Sequence, residues 1–218
     1  MRDESFQIFV EAMGEASSSE AVPRTSLDKY REILPPSLLT IWQEEGWCSY
    51  SNGLFWTADP DEYAHLVDMW LEDTPLASAD RYHTIGRNAF GALYLWGEKN
   101  NRSVTVCCAP GYIIAMADEI NVPARDADIA LLSFFALTNR VYCDMRDGSG
   151  EYLFDRALKQ LGPLDKTQMY GFEPALSLGG RLRLENLNKV NLDVHLTILR
   201  ELSAPSMPYL DTGGAGAT

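Results

Sequence analysis

The sequence predicts an α+β fold in which a central antiparallel sheet is flanked by N-terminal and C-terminal helices. Three observations carry this reading. Helix-spaced apolar residues dominate the first 80 positions, short strand-like runs broken by Gly, Asn and Pro occupy Tyr82 to Met116, and helical spacing returns after Asp126. Helices and strands therefore come in blocks, whereas a parallel sheet built from βαβ units would alternate them. No internal repeat is visible, and 46% apolar with 22% charged residues is the composition of a chain that folds.

Taken in order, Phe6, Ile8, Phe9, Val10 and Met13 suggest a short first helix, and Gly14 to Ser26, with its Ser17-Ser18-Ser19 run and Pro23, reads as a loop. Leu27, Tyr30, Ile33 and Leu34 keep helical spacing up to Pro35-Pro36. Pro36 then opens a helix carrying Leu38, Leu39, Ile41 and Trp42, which Gly46 ends. Asn52 to Thr57 reads as a turn into a strand. The next helix is the clearest. Asp59 can cap it, Pro60 suits its first position, and Asp61 and Glu62 complement its positive end. Tyr63, Leu66, Val67, Trp70 and Leu71 then line one face.

Strands are expected at Tyr82 to Ile85, Leu93 to Trp96, Val104 to Cys107 and Ile113 to Met116, forming an antiparallel meander. Asp126 can cap a helix through Ile129, Leu132 and Phe135. Asp147 to Gly150 is a turn, Glu151 to Leu161 a helix, and Met169 to Gly180 a packed loop with a short strand. Val190, Val194, Leu196, Ile198, Leu199 and Leu202 suggest a final helix, and Ser203 to Thr218 is expected to be mobile.

Charge bounds function. Eighteen Lys and Arg against 31 Asp and Glu give a net charge of -13, which argues against phosphate backbones and anionic membranes and favours a basic partner. The excess is local, because residues 1 to 80 hold 16 acids and 4 bases. Between Arg31 and Arg81 no Lys or Arg occurs, while Glu44, Glu45, Asp59, Asp61, Glu62, Asp68, Glu72, Asp73 and Asp80 all fall there. At about 100° per residue, Asp61, His65, Asp68 and Glu72 share one stripe opposite the apolar face, without a local lysine. The stripe is either a solvated face or a surface for a basic partner, and the sequence leaves both open.

Chemical motifs are sparse. There is no GxGxxG, GxxxxGK[ST], GxSxG or HExxH pattern. His65 beside Asp68 and Asp61 admits a metal site but reads more readily as a surface histidine, while His83 and His195 suit packing roles. Cys48, Cys107, Cys108 and Cys143 lack CxxC spacing and are expected to be reduced structural thiols. No run of about 18 apolar residues occurs, and Arg2, Asp3 and Glu4 precede no signal-type apolar core, so a cytoplasmic location is expected.

Longer strings carry a resemblance. Leu34-Pro35-Pro36-Ser37-Leu38-Leu39, Trp42 to Trp47, Gly53-Leu54-Phe55-Trp56, Asp59 to Tyr63, Arg87 to Gly91 and Leu93 to Gly97 resemble the GAD-like domain of bacterial type VI secretion immunity proteins. Leu161-Gly162-Pro163-Leu164, Met169 to Leu176, Leu178-Gly179-Gly180 and Lys189 to His195 resemble the C-terminal domain of the same family. Ala92 departs from it, standing where an acidic residue is expected. The resemblance implies a GAD-like domain over 1–120, a C-terminal immunity domain over 121–202 and a flexible tail over 203–218. It also implies an immunity protein that silences a cognate DNase toxin used in bacterial competition, with no catalysis, no cofactor or metal, no direct nucleic-acid contact and no membrane. A nuclease needs a basic DNA-binding face, so charge and resemblance together nominate Glu44, Glu45, Asp61, Asp68, Glu72 and Asp73 as partner-binding residues. The rival readings are an enzyme with a carboxylate or His site and a general acidic interaction module.

Overall fold

A computed structural model describes residues 2–101, 103–116 and 126–210. Its architecture is α+β: a seven-stranded sheet and a separate two-stranded sheet, with helices on both faces of the larger one. The helices are α1 (Glu4–Met13), α2 (Arg24–Tyr30), α3 (Pro36–Glu45), α4 (Pro60–Leu71), α5 (Pro75–Ala79), α6 (Ala127–Leu137), α7 (Arg140–Cys143), α8 (Phe154–Leu161) and α9 (Leu192–Leu202). The strands are β1 (Ser18–Glu20), β2 (Trp47–Tyr50), β3 (Phe55–Thr57), β4 (Tyr82–Asn88), β5 (Ala92–Gly97), β6 (Ser103–Cys107), β7 (Tyr112–Ile114), β8 (Gln168–Phe172) and β9 (Leu187–Asn191). Strands β1 to β7 lie in chain order and every neighbouring pair is antiparallel, which is the meander expected, extended at its start by three strands.

The sheet sits between two cores because its central strands are apolar on both sides. Along β5, Leu93 and Leu95 point to one core, while Tyr94 and Trp96 point to the other. The first core gathers Phe6 and Phe9 of α1, Tyr50, Phe55 and Phe135 of α6. Here Phe9 lies 4.8 Å from Tyr50 and 5.3 Å from Phe135, edge to face. The second core packs Leu66, Val67 and Trp70 of α4 and Leu192, Leu196 and Leu199 of α9 against Leu93 and Val106.

Several elements differ from the sequence reading, each for a tertiary reason. Ser18–Glu20 is an edge strand and not loop, because its backbone pairs with Trp47 to Ser49. Gly46 makes this approach possible: its φ is +88°, and a Cβ there would stand 2.5 Å from the Glu20 carbonyl oxygen. Val190 lies in β9, paired with Met169, so the last helix begins only at Leu192, where Asn191 caps it. Residues 203–210 are docked, since Ser206 donates its N–H to Gly111 and accepts one from Ile113, and Met207 is buried. The remainder of the expected tail, 211–218, and the expected boundary at 120 lie outside the described residues.

Candidate protein-interaction surface around α4

Helix α4 begins as its sequence dictates. The Asp59 carboxylate accepts the Asp61 N–H at 3.0 Å, Pro60 occupies the first turn, and Tyr63, Leu66, Val67, Trp70 and Leu71 are buried. Burial pushes the Asp59 carboxyl above its ordinary value, against the pull of the Asp61 N–H.

The outer stripe is less bare than its sequence suggests, because bases arrive from distant segments. Lys29 and Tyr30 of α2 both bond the Asp61 carboxylate, the tyrosine at 2.7 Å. Desolvation pushes Asp61 up, but the Lys29 and Tyr30 contacts outweigh it and hold the carboxyl below its usual value. His65 Nε2 lies 2.5 Å from Asp193 of α9, so the arrangement pairs His65 with α9 and not with Asp61. Arg200 donates to the carbonyls of Met69 and Glu72 at 3.0 and 3.3 Å, satisfying the negative end of α4. Among the described residues no base pairs with the side chains of Asp68, Glu72 or Asp73, all of which are exposed. Asp68 and Glu72 edge an open groove of about 660 Å³ with Leu71, Arg81 and Tyr82. Asp80 also lines it, but its buried carboxylate is consumed by the backbone N–H groups of Arg81, Lys99 and Asn100.

Glu44 and Glu45 end α3. Glu44 is exposed, whereas Glu45 is 11% exposed and is held by Arg2 at 2.6 Å, with Glu15 on the other side of the same guanidinium. The six nominated carboxylates therefore fall into an open set at the C-terminal end of α4, a neutralised Asp61 at its start, and a separate α3 pair.

A second recess flanks the other end of α4. This cleft, about 330 Å³, lies between β1, the start of α4 and the loop before β8, and its walls include Trp47, Trp56 and Tyr63. Arg87 of β4 is 1% exposed at its base. Its guanidinium stacks 4.6 Å from the Trp56 ring and donates to Tyr63 Oη at 3.0 Å and to the Lys166 carbonyl at 3.0 Å. Lys166 reaches back across the mouth, its Nζ 2.9 Å from Glu20 and 3.7 Å from Glu62. Sequence reasoning missed this cleft. The one available signal was Arg87, the single Lys or Arg of the run Tyr82 to Asn88, every residue of which is buried.

The four cysteines are free, and burial pushes the Cys107 thiol up to about 11, far from a reactive thiolate. Among the described residues no group of three or more His, Cys, Asp or Glu is placed to hold a metal ion, and no helix is long and apolar enough to cross a membrane.

Residues 4–110 match the GAD-like domain, and residues 130–203 match the C-terminal domain of the type VI secretion immunity protein Tdi1. The crystal structure of Atu4351 from Agrobacterium tumefaciens shares the fold, with a TM-score of 0.79 over 91% of this chain and 89% of that one at 24% identity. No curated protein matches the sequence. The two matched domains, in this order along one chain, support a type VI secretion immunity family.

Proposed function

We propose that this chain binds and neutralises a cognate type VI secretion DNase toxin, and that it does so by covering the toxin's basic DNA-binding or catalytic face. The match of residues 130–203 to an immunity protein's C-terminal domain carries the reading, because an immunity protein requires a toxin to act on. The charge distribution supports the choice of a nuclease. A chain at -13, with 16 acids and 4 bases in its first 80 residues, complements a surface built to hold polyphosphate. Asp68, Glu72 and Asp73 supply the open carboxylates, while Glu44 is exposed at the end of α3 and Glu45 and Asp61 are already engaged by Arg2 and Lys29.

Co-expression with the product of the adjacent gene tests the function. Co-purification and growth rescue are expected, together with loss of DNA cleavage by the purified toxin when this chain is added. The absence of both a complex and rescue would overturn the immunity reading. The double variant Asp68→Lys, Glu72→Lys is expected to weaken binding by tenfold or more and to flatten its salt dependence. Unchanged affinity and salt dependence would eliminate this face as the contact.

A further inference from the structure

We propose that the cleft between β1 and α4 is a socket for one basic side chain of the toxin, and that Lys166 is the chain's own occupant of that socket, displaced when the partner binds. The inference rests on the immunity reading and adds to it a site outside the nominated carboxylates.

The chemistry of the cleft selects a cation. Glu20, Asp59, Glu62 and Asp165 line it against two bases, Arg87 and Lys166. Arg87 does not compete for an anion, because it is 1% exposed and its N–H groups are spent on Tyr63 Oη and on the carbonyls of Asn88, Asp165 and Lys166. It holds Trp56 and the 165–166 backbone in place instead, so the loop stays fixed while the Lys166 side chain is free to leave. Asp59 already accepts the Asp61 N–H, and the exposed Asp165 accepts the N–H and hydroxyl of Thr167, which leaves Glu20 and Glu62, at 58% and 52% exposure, with Lys166 between them at 53%. An ion pair this exposed adds little stability and exchanges readily for another cation. A guest ammonium or guanidinium gains what Lys166 forgoes, contact with the half-buried Trp47 in the cleft wall, the Trp56 ring being already stacked on Arg87. The volume, about 330 Å³, is at the small end of ligand sites and suits one long side chain better than a cofactor.

The test measures affinity for the purified toxin of the adjacent gene by titration calorimetry, for the wild-type chain and three variants that leave the core untouched. The double variant Glu20→Gln, Glu62→Gln is expected to bind tenfold or more weakly. Lys166→Met is expected to bind several-fold more tightly, because the internal competitor is gone. A control of equal charge loss on α1, Glu4→Gln with Glu11→Gln, is expected to stay within twofold. Circular dichroism confirms that each variant is folded. If the wild-type chain binds but the cleft variant also stays within twofold, or the control falls equally, the socket is wrong while the immunity reading stands. Tenfold weakening by Lys166→Met also overturns the socket, since Lys166 would then itself be a contact. If the wild-type chain forms no complex, the immunity reading fails and the socket with it.

Discussion

Helices α4 and α6 are of similar length but divide their surfaces in opposite ways. Helix α4 is amphipathic: five apolar side chains face the second core, and its other side carries Asp61, His65, Asp68 and Glu72. Helix α6, Ala-Asp-Ile-Ala-Leu-Leu-Ser-Phe-Phe-Ala-Leu, is apolar nearly all round, yet only Leu131 and Phe135 are buried, while Ile129 and Leu137 are 65% and 70% exposed. The next helix continues that apolar surface with Val141 and Tyr142, at 63% and 78%. The difference teaches that periodicity identifies a buried face only when the opposite face is written in polar residues. For α6 the core side is chosen by its neighbours, Phe6 and Phe9 of α1, which receive the Phe135 ring at 5.2 and 5.3 Å.

The largest effect that sharpens this comparison lies within α6. Phe135→Ala removes a fully buried ring from the aromatic cluster and is expected to cost about 3–5 kcal/mol. Leu137→Ala, two residues on, is expected to change stability by less than about 0.5 kcal/mol. Urea unfolding followed by circular dichroism measures both. Equal costs would mean that the exposed face of α6 is packed in solution, and the contrast with α4 would collapse.

The same logic explains which parts of the molecule the sequence disclosed. The Asp59-Pro60-Asp61-Glu62 start of α4, the Asp126 cap of α6 and the strands from Tyr82 to Ile114 were legible because their signals are local: a cap, a proline, an apolar period, a turn. Strand β1 was not, since Ser18-Ser19-Glu20 has no apolar side chain and becomes a strand only by pairing with β2. Docking of residues 203–210 depends likewise on Gly111 and Ile113. The acidic stripe was read correctly as a pattern but incompletely as electrostatics. Lys29, Asp193, Arg200 and Lys166 reach it or its ends from three separate segments, and Lys166 lies 146 positions from the Glu20 it bonds. Sequence spacing on one helix carries no trace of such partners.

A middle-sized effect tests whether α4 owes its start to capping geometry or to charge. Asp59→Ala removes the acceptor for the Asp61 N–H and is expected to cost about 1 kcal/mol. Asp59→Asn keeps an oxygen acceptor and removes a charge that burial disfavours, so it is expected to cost clearly less than the alanine variant. Thermal unfolding of the two proteins ranks them, and an asparagine variant as unstable as the alanine one would show that the charge at the helix start, not the hydrogen bond, holds this end.

The smallest effect concerns the pairing of Asp61 with Lys29 and Tyr30, which separates the neutralised start of α4 from its open end. Because the folded carboxyl titrates below its unfolded value, the pairing stabilises the fold above that value, about pH 4, and the contribution disappears as the pH falls through the lower folded one. Asp61 is 47% exposed, so solvent screens the pairing and the contribution at neutral pH is about 0.5 kcal/mol. Asp61→Asn is therefore expected to be slightly less stable than the wild type near pH 7, and the gap to close near pH 3 and in about 1 M salt. Asp68→Asn, lacking a basic partner, is expected to show no such gap at either pH. Urea midpoints at the two pH values decide the matter: a pH-independent difference for Asp61→Asn, or an equal loss for Asp68→Asn, would mean that the two ends of α4 do not differ electrostatically.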